Sequence, residues 1–392
     1  MALRGNGRKP HPRPLSINEE GCSTRPLLVL NRNAASGVRL DAACGVAVLT
    51  PHHAIPINTP SPLMERGTGG EVSGNIPLPT SGAPLMLATA LFAALLAPAA
   101  DPPKNPFEFA DGDRVVFLGG TLIEREQKYG YWELALTLLN KDKNVSFRNL
   151  GWSGDTVWCE SRGSFGGQPE GFKNTVALVK ELKPTVIVIC YGQVESFDGK
   201  EGVKKFTEGL EKLIDAVSVT KARVVLMTPT PFENVKPITD ADAKNASLKL
   251  YVAATKEVAE KRKMGFVDVF SVESQRRKSE WSPGKPRSLT DNGIHLSDFG
   301  YAFTCPALGF DPFGIKSNAA ELEKAYMEAH ALREAIIAKN ELFFHRWRPQ
   351  NLTYLTGFRK GEQGQNAVEI GQFNPLVEKA EKEITELRKK VK

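Results

Sequence analysis

The stretch FLGGTLIER, residues 117–125, closes a short apolar run that starts at Arg114 and leads into an amphipathic segment. A buried strand, a Gly-Gly turn and a helix in that order are what a parallel sheet needs at its first strand end. The same grammar repeats downstream. VSFRNLG (145–151), TVIVICYG (185–192), RVVLMTP (223–229) and GFVDVF (265–270) read as strands. Between them, YGYWELALTLLN (129–140), GFKNTVALVKELK (171–183) and segments at about 201–217 and 240–263 have helical spacing. Continuous apolar strands separated by helices are buried on both faces. The expected fold is therefore α/β: a three-layer α/β/α sandwich around a mainly parallel sheet.

Beyond about residue 296 the pattern turns helical. One long helix is expected over 319–344, a polar irregular stretch over 345–375, and a charged final helix over 375–392. This C-terminal extension carries too little apolar surface to fold alone, so it should pack on the α/β core. Upstream, residues 1–85 are rich in Pro, Gly, Arg and Ser and show no sustained period. They read as a disordered leader or as mis-assigned upstream sequence. Residues 86–99 form an apolar stretch ending in Ala97-Pro98-Ala99, which has the length and small-residue ending of an export signal starting at Met86. A periplasmic or extracellular location is the expectation, with no stable membrane span, because a span needs about 20 apolar residues.

The 392 residues carry 51 Lys and Arg against 45 Asp and Glu, a net charge of +6. Residues 1–99 hold eight of the basic and five of the acidic groups. The remainder is nearly neutral and makes no case for a nucleic-acid partner. The five cysteines have no CxxC spacing, no histidines sit at i and i+4, and neither GxGxxG nor GxxxxGK occurs. Neither a metal nor a nucleotide cofactor is expected.

In doubly wound sheets, ligands bind beyond the carboxyl ends of the strands. Four segments should meet there: GGTLIER (119–125), NLGWSGDTV (149–157), YGQVESF (191–197) and DNGIHLSDFGY (291–301). Their order and strand-end placement resemble the SGNH, or GDSL-like, hydrolase family over roughly 113–310, with 311–392 as the extension. The likeness is strongest to divergent secreted members of planctomycete-type bacteria, whose RWRPQN stretch in the tail also looks similar.

That resemblance implies an esterase, lipase-like in its chemistry. A serine of the first block attacks an ester carbonyl, a histidine of the last block takes its proton, and an acidic residue orients the histidine. N–H groups from three blocks hold the oxyanion. Mapped onto this chain, Thr121 would be the nucleophile, His295 the base and Asp291 or Asn292 its orienter. Gly154 and Gly192 match the second- and third-block glycines, whereas Val194 stands where the family has Asn. Glu195 is the remaining pocket carboxylate and a candidate base, and Trp152, Trp158 and Tyr191, near these loops, are candidates for a platform on which a sugar ring would stack.

Each residue also has a structural reading. Thr121 suits a helix N-cap, with Glu124 completing a capping box. Gly154 suits a tight turn and Glu195 a solvated loop. The aromatics suit packing. Ser153 is not a replacement nucleophile, because GWSGD lacks the second glycine of GxSxG. Two functions remain open: a divergent esterase acting on acyl esters, including those of carbohydrates, or a degenerate module that binds a small ester or carbohydrate without turnover.

Overall fold

The computed structural model describes residues 106–163, 166–279, 287–308, 327, 329–362 and 366–391, all within the compact unit Pro84–Lys392. The leader, the export signal and the first part of the long helix expected above lie outside the described residues. Five strands form the sheet: β1 (Arg114–Gly119), β2 (Ser146–Gly151), β3 (Val186–Cys190), β4 (Arg223–Met227) and β5 (Gly265–Val267). Their order is β2-β1-β3-β4-β5 and every pairing is parallel. This is the three-layer α/β/α fold that the strand pattern implies.

Side-chain alternation divides the core into two faces. Val115 and Phe117 of β1, Val186 and Val188 of β3, and Val225 and Met227 of β4 face one layer. Val116, Leu118, Ile187, Ile189, Val224 and Leu226 face the other. The first face is covered by α1 (Thr121–Tyr129), α2 (Tyr131–Leu139) and α7 (Asp298–Thr304). The second is covered by α3 (Gly167–Leu182), α4 (Val203–Val217) and α5 (Ala241–Lys261). Full burial of each such aliphatic side chain stabilises the fold by roughly 1.5–3 kcal/mol.

Two local boundaries are corrected. The helix expected over 129–140 starts at Tyr131, because Gly130 (φ 68°) ends α1 in the left-handed region and its N–H bonds Glu126 O. GFVDVF is a strand only to Val267. Asp268 then accepts from the Ser271 N–H at 2.8 Å, in the manner of a helix N-cap, and α6 (Val269–Ser279) begins.

In the extension, α8 (His330–Trp347), the short α9 (Leu352–Leu355) and α10 (Phe373–Arg388) pack on the domain, and α9 with a 3-10 stretch at Asn366–Gln372 replaces part of the expected irregular segment. Leu332 and Ile336 of α8 join the first core face and Phe343 the second. The helix therefore crosses the sheet edge at β2. Lys339 fixes it there: its buried ammonium bonds both oxygens of Glu133 (2.7 and 2.9 Å) and the Phe147 carbonyl of β2 (3.1 Å). Covering an edge strand in this way removes a template for unwanted pairing.

Candidate functional site

The strand order reverses between β1 and β3, so a crevice opens at their carboxyl ends. Gly119 stands opposite Gly151 on one side and Cys190 on the other. Glycine is required at 151, since a Cβ there would lie 2.1 Å from the Glu124 nitrogen. This close approach seats α1 on the end of β2 and brings Thr121 beside the loop that carries Gly154.

A cavity of about 600 Å³ occupies the crevice. Thr121, Gly154, Gly192, Glu195, Tyr191 and His295 all border it, as do the apolar Leu122, Val194, Phe197, Pro229 and Ile294. Val194 and Phe197 are 39% and 53% exposed and form an apolar lip. The four segments singled out in the sequence thus converge on one place. Trp152 borders a neighbouring cleft instead, together with Trp347 and Leu178.

Thr121 does not form the expected capping box. Gly120 is the N-cap of α1 and Thr121 is its first helical residue. Its Oγ1 accepts the Gly154 N–H at 2.9 Å, and Gly154 (φ 72°) turns in the left-handed region to present that donor. Glu124 reaches away from the helix start to accept from the Ser153 N–H and to pair with Arg348 at 2.9 Å. The Gly154 N–H is therefore directed at the hydroxyl oxygen rather than left open to a ligand.

Glu195 is buried, not solvated. One carboxylate oxygen accepts from Val157 N and the other from Gly192 N, both at 2.9 Å. Burial raises its pKa to about 7. The Gly192 N–H is thereby engaged as well, and Val194 adds no side-chain donor.

The loop of His295 is built by a single carboxylate. Glu233 accepts from Ser288 Oγ, from the Leu289 and Thr290 N–H groups and from Thr290 Oγ1, and it pairs with Arg277. Within that loop, Asn292 Oδ1 accepts from the Ile294 and His295 N–H groups at 3.2 and 2.9 Å. Those two bonds orient the amide, so its Nδ2 donates to His295 Nδ1 at 3.2 Å. Asp291 is drawn to Arg125 at 2.6 Å and leaves the ring to Asn292. Burial, then the Arg125 charge, lower the His295 pKa, which favours the neutral ring. A neutral ring that accepts at Nδ1 carries its proton on Nε2.

Beneath the loop lies a network that sequence reading missed. Asp155 and Arg162 form a buried pair at 2.6 Å, the Tyr191 hydroxyl donates to Asp155 at 2.8 Å, and Arg162 also donates to the Leu150 carbonyl at 2.7 Å. Tyr191 is 5% exposed and faces this network rather than offering a ring for stacking. Asp155 was visible in GWSGD, whereas nothing around Arg162 signalled its role. Among the described residues there is no group of three or more His, Cys, Asp or Glu placed to hold a metal, and no helix long and apolar enough to cross a membrane.

This arrangement of strand-end loops has a family counterpart. Residues 117–303 match the GDSL-like lipase/acylhydrolase family model. Curated proteins gave no match to the sequence. Among solved structures, the chain is similar to a gut microbial diltiazem-metabolizing enzyme, with 13% identity, coverage of 72% of this chain and 96% of that one, and a TM-score of 0.51. It is also similar to an acetylxylan esterase from Geobacillus stearothermophilus (19%; 53% and 99%; 0.41) and to an α/β hydrolase from the metagenome of Lake Arreo, Spain (19%; 52% and 95%; 0.41). The first of these agrees with the GDSL-like segment in architecture. The chemistry of that segment has to be argued from its own residues.

Proposed function

We propose that the cavity of this GDSL-like domain binds a small acylated ligand, an acyl ester or an acylated carbohydrate, and does not hydrolyse it at ordinary esterase rates. The observation that carries this reading is the contact from Asn292 to His295. For Thr121 to attack an ester carbonyl, its hydroxyl proton must pass to a lone pair on Nε2, and that nitrogen already holds a proton. In a serine-protease triad, exchanging the orienting carboxylate for an amide costs about 10⁴-fold in rate through the same wrong tautomer. Thr121 adds a β-methyl that restricts the hydroxyl. The absence of a side-chain donor at Val194 costs a further ~10²- to 10³-fold.

What supports binding is the remaining inventory. His295 brings an N–H donor on Nε2, which suits a carbonyl oxygen, and the lip at Val194 and Phe197 suits an apolar body. Three of the charges on the cavity wall are paired, Glu124 with Arg348, Asp155 with Arg162 and Arg125 with Asp291, and Glu195 is held by two backbone N–H groups. A neutral ligand fits that balance better than an ion. Export by the segment 86–99 belongs to the same proposal, and mass spectrometry of the mature amino terminus tests it.

The test of function is hydrolysis of p-nitrophenyl acetate and of acetylated xylo-oligosaccharides, beside calorimetric binding of the latter. We expect release of acetate at the buffer rate in the wild type, in Thr121→Ala and in His295→Ala, with binding weakened in His295→Ala. Turnover in the wild type that both substitutions abolish would show an esterase instead.

A further inference from the structure

We infer that Arg348, in the C-terminal extension, is a positioning residue of the cavity: it clamps the loop Trp152–Gly154 onto the first turn of α1. The inference rests on the reading that the crevice holding Thr121 and His295 is the ligand site. Arg348 lies just past the end of α8, where its cation is favoured by the helix dipole. Its guanidinium carbon sits 3.6 Å from the centre of the Trp152 ring, and its Nη1 is 2.9 Å from Glu124 Oε2. The same Glu124 oxygen accepts the Ser153 N–H. One side chain thus joins α1 to the loop on both sides of the Thr121–Gly154 hydrogen bond.

The preceding residue closes the other side. Trp347 meets Trp152 edge-on with centroids 5.8 Å apart and borders the Arg162 guanidinium, which holds Asp155. Trp152 is therefore surrounded by Arg348, Trp347 and, at 5.7 Å, Arg162. These contacts make Trp152 an anchor for the loop. The register of this clamp is set two turns earlier, where Lys339 is locked to Glu133 and to β2. A planar cation that both stacks and pairs is a task for arginine that lysine performs only in part.

The experiment is hydrogen exchange, resolved by NMR, on the full chain with Arg348→Met, Arg348→Lys and Glu124→Gln. We expect the Ser153 and Gly154 amides to exchange about tenfold faster or more in R348M, less so in R348K, while Val188 and Val225 in the central strands keep their protection. In the double variant with E124Q, R348M should add less than it does alone, because the pair with Glu124 is already broken and only the stacking on Trp152 is left to lose. Unchanged exchange at 153–154, a uniform rise that includes the sheet, or additive effects in the double variant would overturn the clamp. Should R348M fail to fold, E124Q tests the link from its other end. Hydrolysis of p-nitrophenyl acetate by the wild type would overturn the binding reading without touching this result.

Discussion

Asn292 Nδ2 lies 3.2 Å from His295 Nδ1, and the amide cannot turn over without losing the two backbone N–H groups that its oxygen accepts. A single amide thereby decides which ring nitrogen carries the proton. The resulting state is measurable. Two-bond ¹H–¹⁵N correlation spectra of the imidazole at about pH 8 should show the Nε2–H tautomer, and Asn292→Asp should convert it to Nδ1–H. A wild-type ring already protonated on Nδ1 would remove the basis for the non-hydrolytic reading.

The buried pair Lys339–Glu133 should matter far more than the many surface pairs. Lys339 is 1% exposed and Glu133 5%. Lys339→Met leaves a buried carboxylate with the Asn340 amide as its remaining side-chain donor, at 3.0 Å. Breaking such a pair from one side costs about 3–5 kcal/mol, whereas removing both charges costs much less. Urea unfolding should therefore show a large loss for Lys339→Met and a partial recovery on adding Glu133→Gln. Equal losses in the single and double variants would contradict this account.

Stability should fall as pH rises from about 4.5 to about 8. Glu126 is buried at the junction of α1 and α2, where its carboxylate accepts from Trp132 N and Glu133 N. Burial, and then the charge of Glu133, raise its pKa from 4.5 to about 8. Across that window the folded state holds a proton that the unfolded state has released, so the slope of unfolding free energy with pH is negative. The stabilisation is complete below the unfolded value and lost above the folded one. Glu195, raised to about 7, acts in the same direction. On the order of 5 kcal/mol attaches to Glu126 across the window, and Glu126→Gln should flatten the curve measured by urea unfolding at pH 5 and pH 9. An unchanged slope in that variant would assign the effect elsewhere.

The strands and the place of the cavity were legible because both follow from local pattern. Apolar runs such as RVVFLG and TVIVICYG are too short for helices and too continuous for half-exposed strands. Once they are parallel, the residues after them must gather at one end. Boundaries at Gly130 and Asp268 were missed for a related reason: one left-handed glycine and one capping carboxylate override a longer hydrophobic period. Glu195 read as a solvated loop charge because its two backbone partners, Val157 and Gly192, come from different loops.

What local chemistry along the chain decided, then, was the layered α/β architecture and the group of residues that meet at its carboxyl edge. The proposed non-hydrolytic reading leans on side-chain contacts that only the packed fold makes, several of them between segments far apart in sequence. The Gly154 N–H ends on Thr121, Asp291 turns to Arg125 and leaves His295 to Asn292, and Arg348 reaches across more than 220 positions to Glu124. Hydrogen-bond direction and charge pairing depend on which groups share a few ångströms of space. No linear pattern encodes that, because each donor has several sequence-allowed acceptors and the packed fold leaves it one.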